Sequence, residues 1–283
     1  MNRLRLTIAL LRPHQWLKNL MLFFPPFLGG VLLQPGRWSA GLLPFIAFSC
    51  AASGGYILND LMDREADRTH PAKSGRPLAA GRISVTAATT LATLLVGSAL
   101  ALALWLDLAV ALILTAYLLV TIAYSCCLKR LPVVDLFCIA AGFLFRLKAG
   151  GLVFKVPISP WLFLSVLLLS LFLSAGKRLA EKQALQERAA THRTVLGQYP
   201  AGYLEGILFM TGAAVLVTYT MYTLVHPMLL YSVPLCCFGL MRYSYRVMSG
   251  GGGDPTDALV RDPWLLVVGG AWTVMVGWGV YGG

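Results

Sequence analysis

Four oxygen-bearing side chains stand at regular intervals in one polar stretch of an otherwise apolar chain. Asn59, Asp60, Asp63 and Asp67 open the segment NDLMDREADRTHPAKSGRPLAAGR, residues 59–82. An apolar run over residues 40–58 leads straight into it, which predicts that Asn59 sits on the last turn of a membrane helix. If that helix continues, Asn59, Asp63 and Asp67 fall at i, i+4 and i+8, with Asp60 three residues before Asp63. All four then project from one stripe. Carboxylates so placed repel one another unless a cation sits among them. Hard oxygen ligands without His or Cys suit Mg²⁺, which is usually shared with substrate phosphates. Lys73 and Arg76, with Gly75 and Gly81 beside them, could hold further phosphate oxygens. The competing reading is a solvated, charge-balanced loop between two spans. The one-sided spacing counts against it, because Glu65 is the only acid off the stripe.

The pattern N-D-x-x-D-x-x-x-D, followed by H-P-x-K-x-x-R-P-L-x-x-G, resembles the first aspartate-rich motif of the UbiA superfamily of intramembrane prenyltransferases. Asn59, Asp60, Asp63, Asp67, His70, Pro71, Lys73, Arg76, Pro77, Leu78 and Gly81 carry the match. The resemblance implies an all-helical bundle, diphosphate bound through Mg²⁺ at Asn59, Asp60, Asp63 and Asp67, and a catalytic part for the three aspartates.

The elements that must position these residues can be read from composition. The chain of 283 residues is 58% hydrophobic and only 12% charged, against roughly 25% charged in a soluble domain. Repeated apolar stretches near 20 residues long predict a polytopic all-α membrane protein with a single catalytic domain over residues 1–283. Nine spans are expected, near residues 20–34, 39–58, 86–106, 108–127, 133–153, 160–177, 203–225, 227–247 and 264–282. Pro25 and Pro26 should kink the first. Pro132, Pro160, Pro227 and Pro263 stand near the starts of later helices. The basic amino terminus has a short apolar run ending at Arg12-Pro13-His14 and no small-residue cleavage site, so no cleaved signal peptide is expected. Cys50, Cys126, Cys127, Cys138, Cys236 and Cys237 lack metal-ligand spacing and read as small buried hydrophobes. Trp16, Trp38, Trp161 and Trp264 fall near expected membrane interfaces.

The net charge of +11 is explained by topology and anionic ligands, without nucleic acid. Nearly all of the 23 Lys and Arg fall on one side of the expected spans. The opposite loops hold only Arg37 and Lys155, while Arg146 and Lys148 fall inside the fifth span. The positive-inside rule then places the amino terminus and the Asp60 loop in the cytoplasm of a multi-pass cell-membrane protein. The two long polar loops are four spans apart, which suggests two four-helix halves around a cavity plus a ninth helix.

The second long loop, GKRLAEKQALQERAATHR, residues 176–193, has no aspartate. Most superfamily members carry a second aspartate-rich motif there. Lys177, Arg178 and Glu181 would share one face of a continuing helix. A membrane-surface helix with local salt bridges is the competing reading, most of all for residues 182–193, with Glu187, Arg188 and Arg193. One acidic cluster facing a cationic one suits ligands with more than one phosphate group, since each buried phosphate needs a cationic partner. The segments LRPHQWLKN (11–19), YSCCLKRLPVVD (124–135), FRLKAGG (145–151), SAGKRLAEK (174–182) and DPTDALVRDP (254–263) resemble the decaprenyl-phosphate phosphoribosyltransferase branch of the superfamily. That branch implies transfer of 5-phosphoribose from phosphoribosyl pyrophosphate to a polyprenyl phosphate. Membrane lipids are expected partners, and self-association is compatible with the sequence. The rival is an ordinary prenyltransferase acting on an aromatic or other small acceptor, and a transporter would leave the acidic stripe without a use.

Single residues complete the expected site. Lys18 reads either as a phosphate contact or as a lysine reaching lipid headgroups. Tyr124 and Lys129 end the fourth span, and the resemblance raises them to ligand candidates with Arg130. Asp135 is expected to pair with Lys129 or Arg130. Arg146 and Lys148 are intramembrane cations, which usually face a cavity or partner; Glu205 is a candidate partner, and Lys148 reads rather as reaching outward. His14, His70, His192 and His226 form no metal pattern, and His70 is expected to shape its loop.

Overall fold

The computed structural model describes residues 3–69, 73–185, 194–224 and 227–282. His70, Pro71, Glu187, Arg188, His192, Arg193 and His226 lie outside them. The described elements are all helical. α1 (Arg3–Leu11) leads into a 3-10 helix, Pro13–Phe23, and then α2 (Phe24–Leu28) and α3 (Arg37–Ala40). α4 (Leu42–Met62), α5 (Arg64–Thr69), α6 (Val85–Leu106) and α7 (Leu108–Cys126) follow, then a 3-10 turn at Leu128–Arg130. The second part holds α8 (Val134–Phe154), α9 (Pro160–Leu185), α10 (Thr194–Gln198) and α11 (Tyr203–Leu224). A 3-10 segment, Pro227–Ser232, precedes α12 (Val233–Met248), α13 (Pro255–Arg261) and α14 (Pro263–Tyr281).

Among the described residues, 7 helices are long and apolar enough to cross a membrane: Arg37–Met62, Val85–Leu106, Leu108–Cys126, Val134–Phe154, Pro160–Ala184, Tyr203–Leu224 and Pro263–Tyr281. The other two expected spans are broken for local reasons. Pro25 and Pro26 fall in the first turn of α2, where missing N–H groups start a helix but could not continue one. The eighth is divided between the Pro227–Ser232 segment and α12, which has Pro234 in its first turn and carries Arg242 and Arg246. Side-chain caps set other boundaries. Ser84 accepts from the Ala87 N–H at the start of α6, and Asp107 from Ala109 at the corner between α6 and α7.

Small residues let the first helices approach closely. Ala47, Phe48 and Ala51 of α4 pack on Ala99 and Ala103 of α6 and Leu114 of α7. A second core joins Phe172 and Leu179 of α9, Leu204 and Leu208 of α11, Tyr243 and Val247 of α12, and Ala258 of α13. α8 stands between α7 and α9 and takes the 3-10 helix against its side, while α14 packs on α12 and α2. All six cysteines are free. Cys126 and Cys127 are exposed and the others partly so, contrary to the expected burial. The exposed pair falls where α7 ends. Trp38 and Trp264 are exposed, whereas Trp16 is tied inward, donating to Ser53 Oγ at 3.0 Å.

Contact between α8 and the 3-10 helix depends on Gly150. A Cβ there would lie 2.1 Å from the carbonyl oxygen of Leu22, a backbone atom with no rotamer to change. Gly150→Ala is therefore expected to cost roughly 1–3 kcal/mol. Gly97→Ala, where a Cβ would meet nothing within 4 Å, should be neutral or stabilising; thermal unfolding in detergent compares the two.

Candidate active site

The site begins where α4 ends. Asp63 leaves helical geometry (φ −91°, ψ 4°). The backbone nevertheless keeps its i→i+4 pattern, from Asp63 N–H to Asn59 O at 2.9 Å and from Asp67 N–H to Asp63 O at 2.8 Å. The expected register is thus present, but the four side chains do not converge. Asp60 and Asp67 are both 3% exposed and turn inward. Asp63 turns the other way, to Lys129, and accepts from Asn59 Nδ2 at 3.1 Å; Lys129 also donates to Asn59 Oδ1 at 3.3 Å.

Cations from two parts of the chain hold the inward pair. One nitrogen of Arg12 lies 2.6 and 2.8 Å from the two oxygens of Asp60. Nη1 of Arg76 lies 3.0 Å from Asp60 and 2.6 Å from Asp67, and Lys73 stands 4.0 Å from Asp67. Sequence spacing had not singled out Arg12. It sits between α1 and the 3-10 helix with φ 52°, ψ 58°, a left-handed conformation that costs a non-glycine residue about 1–2 kcal/mol. Tethers on both sides sustain it. Ser53 Oγ donates to Leu11 O at 2.8 Å, the guanidinium grips Asp60, and Tyr56 lies beneath it at 5.4 Å.

A second charged group joins the ends of α7 and α9 and the start of α8. Arg178 is 1% exposed. It donates to Asp135 at 2.6 Å, Glu181 at 2.9 Å and the Tyr124 hydroxyl at 2.9 Å. Tyr199 donates to the other Asp135 oxygen at 2.6 Å and accepts from the Val133 N–H at 2.8 Å. Val133 itself has φ 68°, a strained value for a β-branched residue. Asp135 therefore pairs with Arg178 and Tyr199, not with Lys129 or Arg130 as its sequence neighbours suggest. Each nitrogen of Arg178 facing this group already has an acceptor, so Arg178, Glu181 and Tyr124 here form a clamp between three helices.

A third group faces both. Lys177 turns away from Arg178 and binds Asp254 at 2.8 Å. Lys18, half-buried on the 3-10 helix, donates to Gln15. Its burial, reinforced by the charges of Lys177, Arg146 and Arg12 and opposed by Asp254, lowers the ammonium to about 8. Arg146 lies deeper in α8 and is 5% exposed. It is held by Asn19 Oδ1 at 2.6 Å, Gly142 O at 2.7 Å and the Tyr117 hydroxyl at 3.1 Å, with its charge 4.6 Å from the Tyr117 ring. These acceptors are neutral; Glu205 is not among them. Lys148 is exposed and lies over the Phe163 ring at 5.9 Å.

The donor set can be tested against a metal. No three His, Cys, Asp or Glu converge among the described residues. Asp60 and Asp67 do close on one positive centre, because a single Arg76 nitrogen lies within 3.0 Å of both. Two hard carboxylates meeting at one cation fit Mg²⁺, which ordinarily takes one or two protein carboxylates and completes its shell with phosphate and water.

The UbiA prenyltransferase family model matches residues 23–261, which include this whole constellation apart from Arg12, Gln15, Lys18 and Asn19. The chain belongs to the UbiA family. It is a multi-pass membrane protein, as the apolar helices require. The decaprenyl-phosphate phosphoribosyltransferase of Mycolicibacterium smegmatis is 32% identical, over 97% of this chain and 92% of that protein. The protein of the same name in Mycobacterium tuberculosis is 34% identical, over 95% and 92%. A UbiA homologue from Archaeoglobus fulgidus, solved with GPP and Mg²⁺, superposes over 98% of this chain and 100% of its own at a TM-score of 0.76 and 19% identity. That likeness supports the UbiA fold.

Two outcomes follow from this geometry. Arg178→Met strips Asp135 of its charged partner in a site where the two side chains are 2% and 0% exposed; unfolding in detergent should show a loss of about 3–5 kcal/mol, and Lys177→Met, at a more open pair, much less. Because the Lys18 ammonium sits at about 8, it is charged below that pH and loses its proton above it. Affinity for a phosphomonoester such as ribose 5-phosphate should fall roughly tenfold as pH rises through this range, the worth of one charge-assisted hydrogen bond. Lys18→Arg, which keeps its charge, should flatten the profile in a calorimetric titration.

Proposed function

We propose that this UbiA-family protein transfers 5-phosphoribose from phosphoribosyl pyrophosphate to a polyprenyl phosphate such as decaprenyl phosphate, releasing pyrophosphate. The observation that carries the reading is the charge arrangement. One carboxylate pair, Asp60 and Asp67, is held by Arg12 and Arg76, the charges of Lys177 and Arg12 act on Lys18 nearby, and residues 176–193 contain no aspartate. A prenyl diphosphate bears one anionic group, whereas this donor bears two and its acceptor a third. The near full-length likeness to decaprenyl-phosphate phosphoribosyltransferases supports the same choice.

The reaction joins an acceptor phosphate oxygen to ribose C1 and breaks the bond from C1 to pyrophosphate, which leaves with the electron pair. The acceptor is already anionic, so no strong general base is needed. Asp60 and Asp67 would hold Mg²⁺, with Asn59 and Asp63 at the rim. When bound there, Mg²⁺ would neutralise the charge developing on pyrophosphate. Arg12, Arg76 and Lys73 offer donors to pyrophosphate oxygens, and carboxylate charge nearby favours an oxocarbenium-like ribose. Lys129 holds Asn59 and Asp63 in place. Lys18 and Lys177 are assigned to the remaining phosphate groups, with the Tyr124–Arg178–Glu181 clamp supporting the helix end that carries Lys177.

The lipid tail has a matching space. A cavity of about 430 Å³ lies among α9, α11, α12 and α14, lined almost wholly by apolar side chains such as Leu162, Val166, Leu240, Leu265 and Trp272. It reaches Pro255 and Ala258 of α13, next to the loop that carries Asp254. The proposed setting is the cell membrane, with the amino terminus and the polar site on the cytoplasmic side.

Membranes given labelled phosphoribosyl pyrophosphate and polyprenyl phosphate should place label in the lipid fraction. Label entering an aromatic acceptor only from a prenyl diphosphate would overturn the reading in favour of ordinary prenyl transfer. Asp60→Asn and Asp67→Asn should each lower transfer by about 10²-fold or more with the helical circular dichroism unchanged, and Asp63→Asn should lower it less.

A further inference from the structure

Asp254 brings a carboxylate close to Lys177 and Lys18. It accepts from Lys177 at 2.8 Å, and its charge acts on Lys18 together with those of Lys177, Arg146 and Arg12. The local chain is built to put a carboxylate there. Gly250 and Gly252 have φ 77° and 83°, conformations open to glycine. Gly253 is pressed onto α9, where a Cβ would lie 2.5 Å from Gly176 O and 2.7 Å from the Lys177 Cα. The Tyr243 hydroxyl donates to Gly253 O at 2.7 Å. Asp254 is thereby held beside Lys177 and not left to a mobile loop.

Its oxygens are only partly used. Oδ1 caps α13, accepting from Thr256 N–H at 3.1 Å and Asp257 N–H at 3.4 Å. Oδ2 accepts from Lys177 at 2.8 Å. A carboxylate has about four acceptor positions, and this side chain is 21% exposed. Capping alone needs no charge, since Ser or Asn caps as well. A phosphate would be repelled by Asp254, but a neutral hydroxyl donates to a carboxylate, and acidic side chains read ribose hydroxyls in this way in dinucleotide sites.

We propose that Asp254 is a specificity-determining residue that accepts hydrogen bonds from the ribose hydroxyls of the donor, while Lys177 and Lys18 hold its phosphate. This rests on the phosphoribosyl reading above and deepens it. A prenyl diphosphate has no such hydroxyls, so Asp254 discriminates between the two donor classes as well as among sugars.

The test measures kcat/KM with polyprenyl phosphate and either labelled phosphoribosyl pyrophosphate or its 2-deoxyribose analogue. Wild type should prefer the ribosyl donor. Asp254→Ser keeps the cap but withdraws the carboxylate, and Asp254→Asn keeps the shape but removes the charge. Both should shrink the ribosyl-to-deoxyribosyl ratio, Asp254→Ser by at least about tenfold, as expected when a charged partner of a hydroxyl is lost. A purely structural role lowers both donors together. A ratio within twofold of wild type in both variants would overturn the assignment while leaving the phosphoribosyl reading intact. Failure of wild type to label lipid from either donor would remove that reading, and this inference with it.

Discussion

Charge taken out of water must find opposite charge or a fixed dipole, and that requirement organises this molecule. Asp60 at the end of α4 and Asp67 in α5 are buried, and Arg12 from the amino-terminal segment and Lys73 and Arg76 from the following loop meet them. Arg178 and Asp135 do the same for α8 and α9. Such pairs contribute little net stability, because desolvation offsets attraction, but removing one partner is severe. They therefore fix where the helix ends stand relative to one another. They also leave the site exchangeable: a polyanion with its counterion can replace one set of partners by another without stranding a charge.

The two buried charged groups solve this problem with opposite signs. At the end of α4 the inner groups are carboxylates and the cations come from elsewhere. At the end of α9 the inner group is a guanidinium bound by Asp135, Glu181 and Tyr124, with Tyr199 donating to Asp135 behind it. Arg178 is consumed by that arrangement, while Lys177, one residue earlier and on another face, pairs with Asp254.

Much of this was legible in the sequence, and the exceptions share a cause. The seven long helices follow from apolar runs of sufficient length. The Asn59–Asp67 register survives because backbone bonding continues through Asp63. What spacing could not show is which distant cation captures each acid. Local geometry puts four side chains on one stripe, but Arg12 and Arg76 draw Asp60 and Asp67 inward while Lys129 draws Asp63 outward. Asp135 was assigned to near neighbours for the same reason, although its partners lie 43 and 64 residues away. Arg12, Arg146 and Asp254 carry no periodic signal. Only Pro13, which biases the preceding residue away from helix, hinted at a break where Arg12 stands. The break at Pro25 and Pro26 was legible as a kink in the first span, whereas the eighth reads as one helix because Pro234, in the first turn of α12, stands only seven residues after Pro227.

The eleven-residue 3-10 helix carries Trp16, Lys18 and Asn19 and begins one residue after Arg12. Such runs seldom exceed four residues. Ser53 and Ser49 of α4 and Arg146 of α8 pin it along its length. At about 2.0 Å per residue it advances about 22 Å, where an α-helix of equal length would advance about 16 Å. Rewinding to the commoner form would retract its far end by roughly 5 Å and lift Lys18 and Asn19 out of register with α8. The depth at which Lys18 and Asn19 stand is thus a matter of helical pitch, set by three side-chain tethers.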